Sequence, residues 1–257
     1  MIEKREKKGQ ITIFMIIGLV VIVIIALLLF ARSRGVGIEP KKFLSSQIEP
    51  IKNSVTKCVG IEGVEALKLL GRQGGDLNPA RYLKYKNENV AFLCFNKPGK
   101  KECINRMLTR REIEGELNVY VREQLYRCIH LEDFIDVQKY ELIAGELAVN
   151  TMIASDEVFV GVDYPITLKK KGIEVGISDF STRVQMPLGK LLKVTDDVLD
   201  AESEFGEFHT LAYELLYKGL YEIRKEQPYP DKIYILKIKD NPYIFQFAVE
   251  GEPYEKK

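Results

Sequence analysis

The chain of 257 residues has no tryptophan, only two histidines, His130 and His209, and only four cysteines. Each scarcity excludes something. Two histidines leave little imidazole for proton transfer near neutral pH or for a multi-histidine metal centre. The cysteines, Cys58, Cys94, Cys103 and Cys128, form no CxxC pair, which argues against a structural zinc site. Charge of one sign is lacking too, since 38 Lys and Arg stand against 37 Asp and Glu. Nucleic acid is therefore not an expected partner, because phosphate binding needs a clustered basic face. The run Lys169-Lys170-Lys171 before Gly172 reads instead as a hairpin tip. Ser45-Ser46, Ser178 and Ser181 lie outside any GxSxG elbow. Gln73-Gly74-Gly75-Asp76 lacks the GK[ST] ending of a phosphate loop, and a helix C-cap explains it. No catalytic residue, cofactor or metal is expected, and there is no internal repeat or low-complexity tract.

What the chain does have stands at its start. Met1 to Lys8 is basic, Gly9-Gln10 follows, and Ile11 to Phe30 is a run of twenty residues without a charge. Summed over its large apolar side chains, insertion of that run into a bilayer is favoured by about 5–10 kcal/mol. As a helix it would rise about 30 Å, the hydrocarbon thickness of a bilayer. The sequence thus predicts a basic leader over 1–9, a single transmembrane helix over 10–31, a juxtamembrane linker over 32–47 and an extracytoplasmic domain over 48–257, with a sub-boundary near 132–137. Lys4, Arg5, Lys7 and Lys8 outnumber the cations just after the run, so the positive-inside rule places the N-terminus in the cytoplasm and the C-terminal domain outside. The lipid bilayer is the first expected partner.

The segment Lys7-Lys8-Gly9-Gln10-Ile11-Thr12-Ile13-Phe14 resembles the class III signal peptide of archaeal type IV pilin-like proteins, in which a short basic leader ends in Gly before an apolar helix. The resemblance implies cleavage between Gly9 and Gln10, and a subunit that associates with itself or with other envelope proteins. Two features depart from the pattern: Phe14 stands at the fifth mature position, where many pilins have Glu, and Gly35, Gly37 and Pro40 interrupt the stem. An uncleaved signal anchor stays open beside it. The remainder, including Arg72-Gln73-Gly74-Gly75 after a helix, is similar to uncharacterised archaeal membrane-anchored proteins, a likeness that implies no activity.

The cysteines fit an oxidising compartment. Ile48, Ile51, Val55 and Cys58 recur at helical spacing, as do Ile113, Leu117, Val121, Leu125 and Cys128, so Cys58 and Cys128 lie on the inner stripes of two helices. Cys94 ends a strand-like run, and Asn96-Lys97-Pro98-Gly99 can turn the chain back to Cys103. The expected disulfides are Cys58 to Cys128 and Cys94 to Cys103; four buried free thiols in a reducing compartment are the alternative.

Beyond the linker the chain reads helical from Pro50 to about Gly71, with a weak point at Gly60 to Gly63. Two strand-like pieces flank Asn87-Glu88-Asn89. Thr109 with Glu112 forms a capping box for a helix reaching about Leu131. From Val137 to Met186 the period is two, which predicts three antiparallel strands. Pro187 opens a helix carrying Leu188, Leu191, Leu192 and Leu199. A second helical stretch, Glu204 to Lys225, carries Phe205, Phe208, Leu211, Ala212, Leu215, Leu216 and Leu220, and both are expected to cover the sheet. A hairpin turning at Asp240-Asn241-Pro242 closes the chain. Segregated helices and strands make this α+β: an antiparallel sheet covered by helices.

Candidate chemistry is sparse. His209 lies near Glu202, Glu204 and Glu207, with Asp196, Asp197 and Asp200 just before, but an acidic helix edge is usually a solvated face. His130 ends the Cys128 helix, where a cation meets the helix dipole favourably. Glu132-Asp133 with Asp136 reads as loop. Aromatics gather near the last hairpin: Tyr229, Tyr234, Tyr243 and Tyr254. These features point to a non-enzymatic cell-surface protein with a structural, assembly or adhesion role, of the pilin-like kind. A membrane-tethered ligand- or protein-binding module is the alternative, and an enzyme with an acidic/His site comes third.

Overall fold

The computed structural model describes residues 8–33, 40–96, 103–136 and 139–251. The leader residues 1–7, Gly35 and Gly37, the turn at 97–99, Val137 and Tyr254 lie outside the described residues. The chain divides into two compact units, Met1–Phe43 and Leu44–Lys257.

The first unit contains helix α1, Lys8–Ser33. Its side chains from Phe14 to Phe30 are all exposed. The transmembrane helix expected over 10–31 is corrected here: among the described residues no helix is long and apolar enough to cross a membrane. The described apolar face covers seventeen side chains, 14–30.

Helix α2, Pro40–Gln73, begins inside the stretch expected to be a linker, so Pro50 lies in the helix interior and not in its first turn. Residues 46, 49 and 50 are on the exposed side, so the backbone bond that Pro50 removes is lost where water replaces it. The inner stripe Leu44, Ile48, Ile51, Val55, Cys58, Ala66 and Leu70 is buried, and the helix runs through Gly60 to Gly63 without a break. It stops at Gly74 and Gly75, both with positive φ and both packed closely against residues 245–247.

A six-stranded sheet has the order β1 (Tyr82–Tyr85), β2 (Glu88–Asn96), β10 (Phe245–Val249), β9 (Lys232–Ile238), β8 (Tyr221–Glu226), with β3 (Cys103–Asn105) also on β2. The β1–β2 turn uses Lys86 and Asn87 at positive φ. One pairing is parallel, β10 to β2, where Ala248 meets Phe92, and it makes this sheet mixed. Buried on both faces, β10 has no exposed residue. A second sheet holds β4 (Glu141–Ala144), β5 (Ala148–Ile153), β6 (Val158–Lys170) and β7 (Ile173–Val184), all antiparallel. It has four strands, not three, because β4 and β5 pair with successive halves of the long β6.

Helix α3, Arg110–Cys128, starts on the Thr109–Glu112 capping box and ends three residues before the expected Leu131. A short 3-10 turn, Leu131–Phe134, follows. On α3 the side chains of Glu114 and Asn118 accept the backbone N–H groups of Ile153 and Thr151 at 2.8 and 2.7 Å, closing the outer edge of β5. Disulfides join Cys58 of α2 to Cys128 of α3, and Cys94 of β2 to Cys103 of β3. Helix α4, Leu188–Phe205, buries Leu188, Leu191, Leu192, Val198 and Leu199 and packs on β2, β3 and β9. The second helical stretch is corrected: α5 covers only Thr210–Leu216, and the chain then turns through Lys218 and Gly219, both at positive φ, into strand β8.

Candidate functional site

The acidic segment after residue 195 is where the sequence puts its only candidate chemistry, and the structure scatters it. Asp197 accepts a hydrogen bond from the Tyr213 hydroxyl at 2.6 Å. Asp196 lines a separate cavity of about 560 Å³ with Arg110, Lys190, Lys193 and Tyr221. Burial, and then the neighbouring Asp200 and Asp197, push the Asp196 carboxyl up. His209 sits at the N-terminal cap position of α5 and makes no side-chain cap bond. Among the described residues no group of three His, Cys, Asp or Glu side chains is placed to hold a metal ion.

What is assembled is a cluster around Glu202. This carboxylate is 3% exposed, on the inner stripe of α4 that also carries Thr195, Val198 and Leu199. The buried Tyr234 hydroxyl donates to one oxygen, and the Lys232 ammonium stands 2.6 Å from the other. Lys232 also donates to the Gly206 carbonyl at 2.6 Å and lies 3.7 Å from Glu207, which pairs with Lys225. Burial and the hydrogen bond to Glu202 hold the Tyr234 hydroxyl far above the usual phenol range, so it is a donor at any ordinary pH. Burial acts to raise the Glu207 carboxyl, but the ammonium groups of Lys225 and Lys232 outweigh it and leave it below the usual range.

The Glu202 carboxylate is fully engaged at its two oxygens. Lys232 spends two of its three donors, on Glu202 and on the Gly206 carbonyl, with Glu207 at 3.7 Å as a further ion pair, and each Glu202 oxygen has its own donor. A charge this buried is tolerated because it is paired and bonded. Beside it opens a polar cavity of about 440 Å³, lined by Asn96, Cys103, Ser203, Glu204 and Glu250 among others. Its second inward carboxylate is also engaged: Glu250 accepts the Asn96 backbone N–H at 2.8 Å and pairs with Arg81.

No family model, curated protein or solved structure matches this chain.

Of the other residues weighed, His130 lies beyond the end of α3, its Nδ1 2.9 Å from Glu132. The Glu132 carboxyl is lowered by its own backbone N–H and by His130. Asp133 donates its backbone N–H to the His130 carbonyl within the 3-10 turn. Lys139 pairs with Asp136 at 2.8 Å. Tyr243 is buried, its hydroxyl donating to the Leu67 carbonyl, whereas Tyr229 is exposed, so these aromatics do not form one face. Sequence reasoning missed Lys232 and the inward aim of Glu202. A signal existed: Glu202 follows Thr195, Val198 and Leu199 at helical spacing, which places a carboxylate on an apolar stripe and demands a partner.

Proposed function

We propose that this protein is a non-enzymatic cell-surface protein with a structural, assembly or adhesion role, a pilin-like subunit whose folded body lies outside the cytoplasm. The observation that carries this reading is α1, whose described side chains from 14 to 30 are without charge and exposed on every side. A helix apolar all round is not at rest in water. It is the element through which the protein associates with lipid or with further copies. Two disulfides in the folded body support an oxidising compartment, where such bonds persist. The buried, paired Glu202 carboxylate supports a structural role for the acidic segment. The pilin-like resemblance of residues 7–14 supports processing at Gly9 and Gln10.

Chemical cross-linking of the full-length protein in intact cells tests the assembly role: multimers are expected, and a monomer at every cross-linker length overturns it. The mass of the mature chain tests processing, with a start at Gln10 expected and an intact Met1 counting against it.

A further inference from the structure

Helix α5 is amphipathic the wrong way round for a monomer in water. Its outward positions are Leu211, Ala212, Leu215 and Leu216, one face at i, i+1, i+4 and i+5, and the three leucines are 67%, 70% and 73% exposed. Tyr217 and Leu220 extend this apolar surface just beyond the helix. The polar groups point inward. Glu214 accepts the Ile223 backbone N–H of β8 at 2.6 Å, and the Tyr213 hydroxyl reaches Asp197. Tyr213 also stacks among Phe208, Tyr217 and Tyr221, with ring centroids 4.6 to 6.0 Å apart. These anchors fix the rotation of α5, and turning the leucines inward would break all of them.

We infer that this face is a self-association surface, on which α5 of one copy packs against α5 of a second copy about a two-fold axis. Two observations select a second copy as the occupant. The outward face is uncharged, because the one charge within 210–217, Glu214, is turned inward, so the face meets itself without repulsion, as an isologous contact requires. The exposed area is on the order of 500 Å² per copy, so a symmetric pair that buries it all removes about 1,000 Å², the lower limit of a specific interface. The inference deepens the assembly reading, and rests on it for the identity of the partner, but uses a surface other than α1.

The test is disulfide trapping of full-length protein carrying Leu216→Cys, with Lys171→Cys at the exposed β6–β7 turn as control. Mild oxidation is expected to give about tenfold more dimer for Leu216→Cys than for the control. Adding Leu211→Glu and Leu215→Glu is expected to abolish it with an unchanged circular dichroism spectrum, and Leu211→Ser with Leu215→Ser to weaken it. Equal trapping at both positions, or trapping that survives the glutamates, overturns the proposal. So does protection of the Leu216→Cys thiol by phosphatidylglycerol vesicles without dimer. Amine cross-linking of the variant carrying Leu211→Glu and Leu215→Glu reads the α1 association separately: a monomer there, while Leu216→Cys trapping in the otherwise unchanged protein persists, overturns the α1 reading alone.

Discussion

Helices α4 and α5 follow one another in the chain and each carries a leucine stripe, yet the stripes face opposite ways. On α4, Leu188, Leu191, Leu192 and Leu199 are buried; on α5, Leu211, Leu215 and Leu216 are exposed. Each helix is anchored by one glutamate. Glu202 of α4 sits inside with Lys232 and Tyr234, so its apolar neighbours at i−3 and i−4 go in with it. Glu214 of α5 reaches the backbone of an edge strand, and that contact carries the leucines out. Apolar periodicity identifies a stripe, but the partner available to the polar residue decides which way the stripe points.

The largest expected effect lies at the α4 anchor. Glu202→Ala leaves the Lys232 ammonium without its main partner, and loss of about 3–5 kcal/mol is expected from urea unfolding. Leu199→Ala should cost about 2–5 kcal/mol through the cavity it opens. Alkaline titration distinguishes the ring anchors. Tyr234 is wholly buried with its hydroxyl raised above the ordinary 10.0. Its contribution is therefore fully present below pH 10.0 and lost as pH rises, by about 1.4 kcal/mol per unit, because only the unfolded chain ionises there. Tyr213, raised by burial and Asp197, acts in the same direction, so unfolding followed by circular dichroism should steepen above pH 10.0. At the α5 anchor, Glu214→Ala removes one acceptor from the Ile223 N–H and should cost about 1–2 kcal/mol. Leu215→Ala should leave stability within about 0.5 kcal/mol. If it costs as much as Leu199→Ala, the two helices do not differ as described.

Local chemistry made part of this fold legible. The Thr109–Glu112 box marks the start of α3 because both its bonds lie within one turn. The stripes ending at Cys58 and Cys128 identify facing helices, and Lys171-Gly172 identifies the tip between β6 and β7. What failed depends on distant partners. The stretch to Lys225 reads as helix because Leu211 to Leu220 continues an apolar pattern, but Lys218 and Gly219 turn at positive φ, and Tyr221 and Ile223 alternate as a strand. The β2–β10 pairing joins Phe92 to Ala248, a separation no local pattern encodes. The N-terminal segment is apolar and helical as its composition suggests, yet among the described residues no helix is long and apolar enough to cross a membrane. At the candidate site, the acidic residues were legible as a run, but Lys232 reaches them only through the sheet.

Maleimide labelling of Leu215→Cys at increasing protein concentration tests most directly the claim that α5 presents its apolar face for contact between copies. Fast labelling in dilute solution and protection as the concentration rises are predicted. Labelling that is slow throughout would contradict the outward orientation, and a rate independent of concentration would contradict the contact.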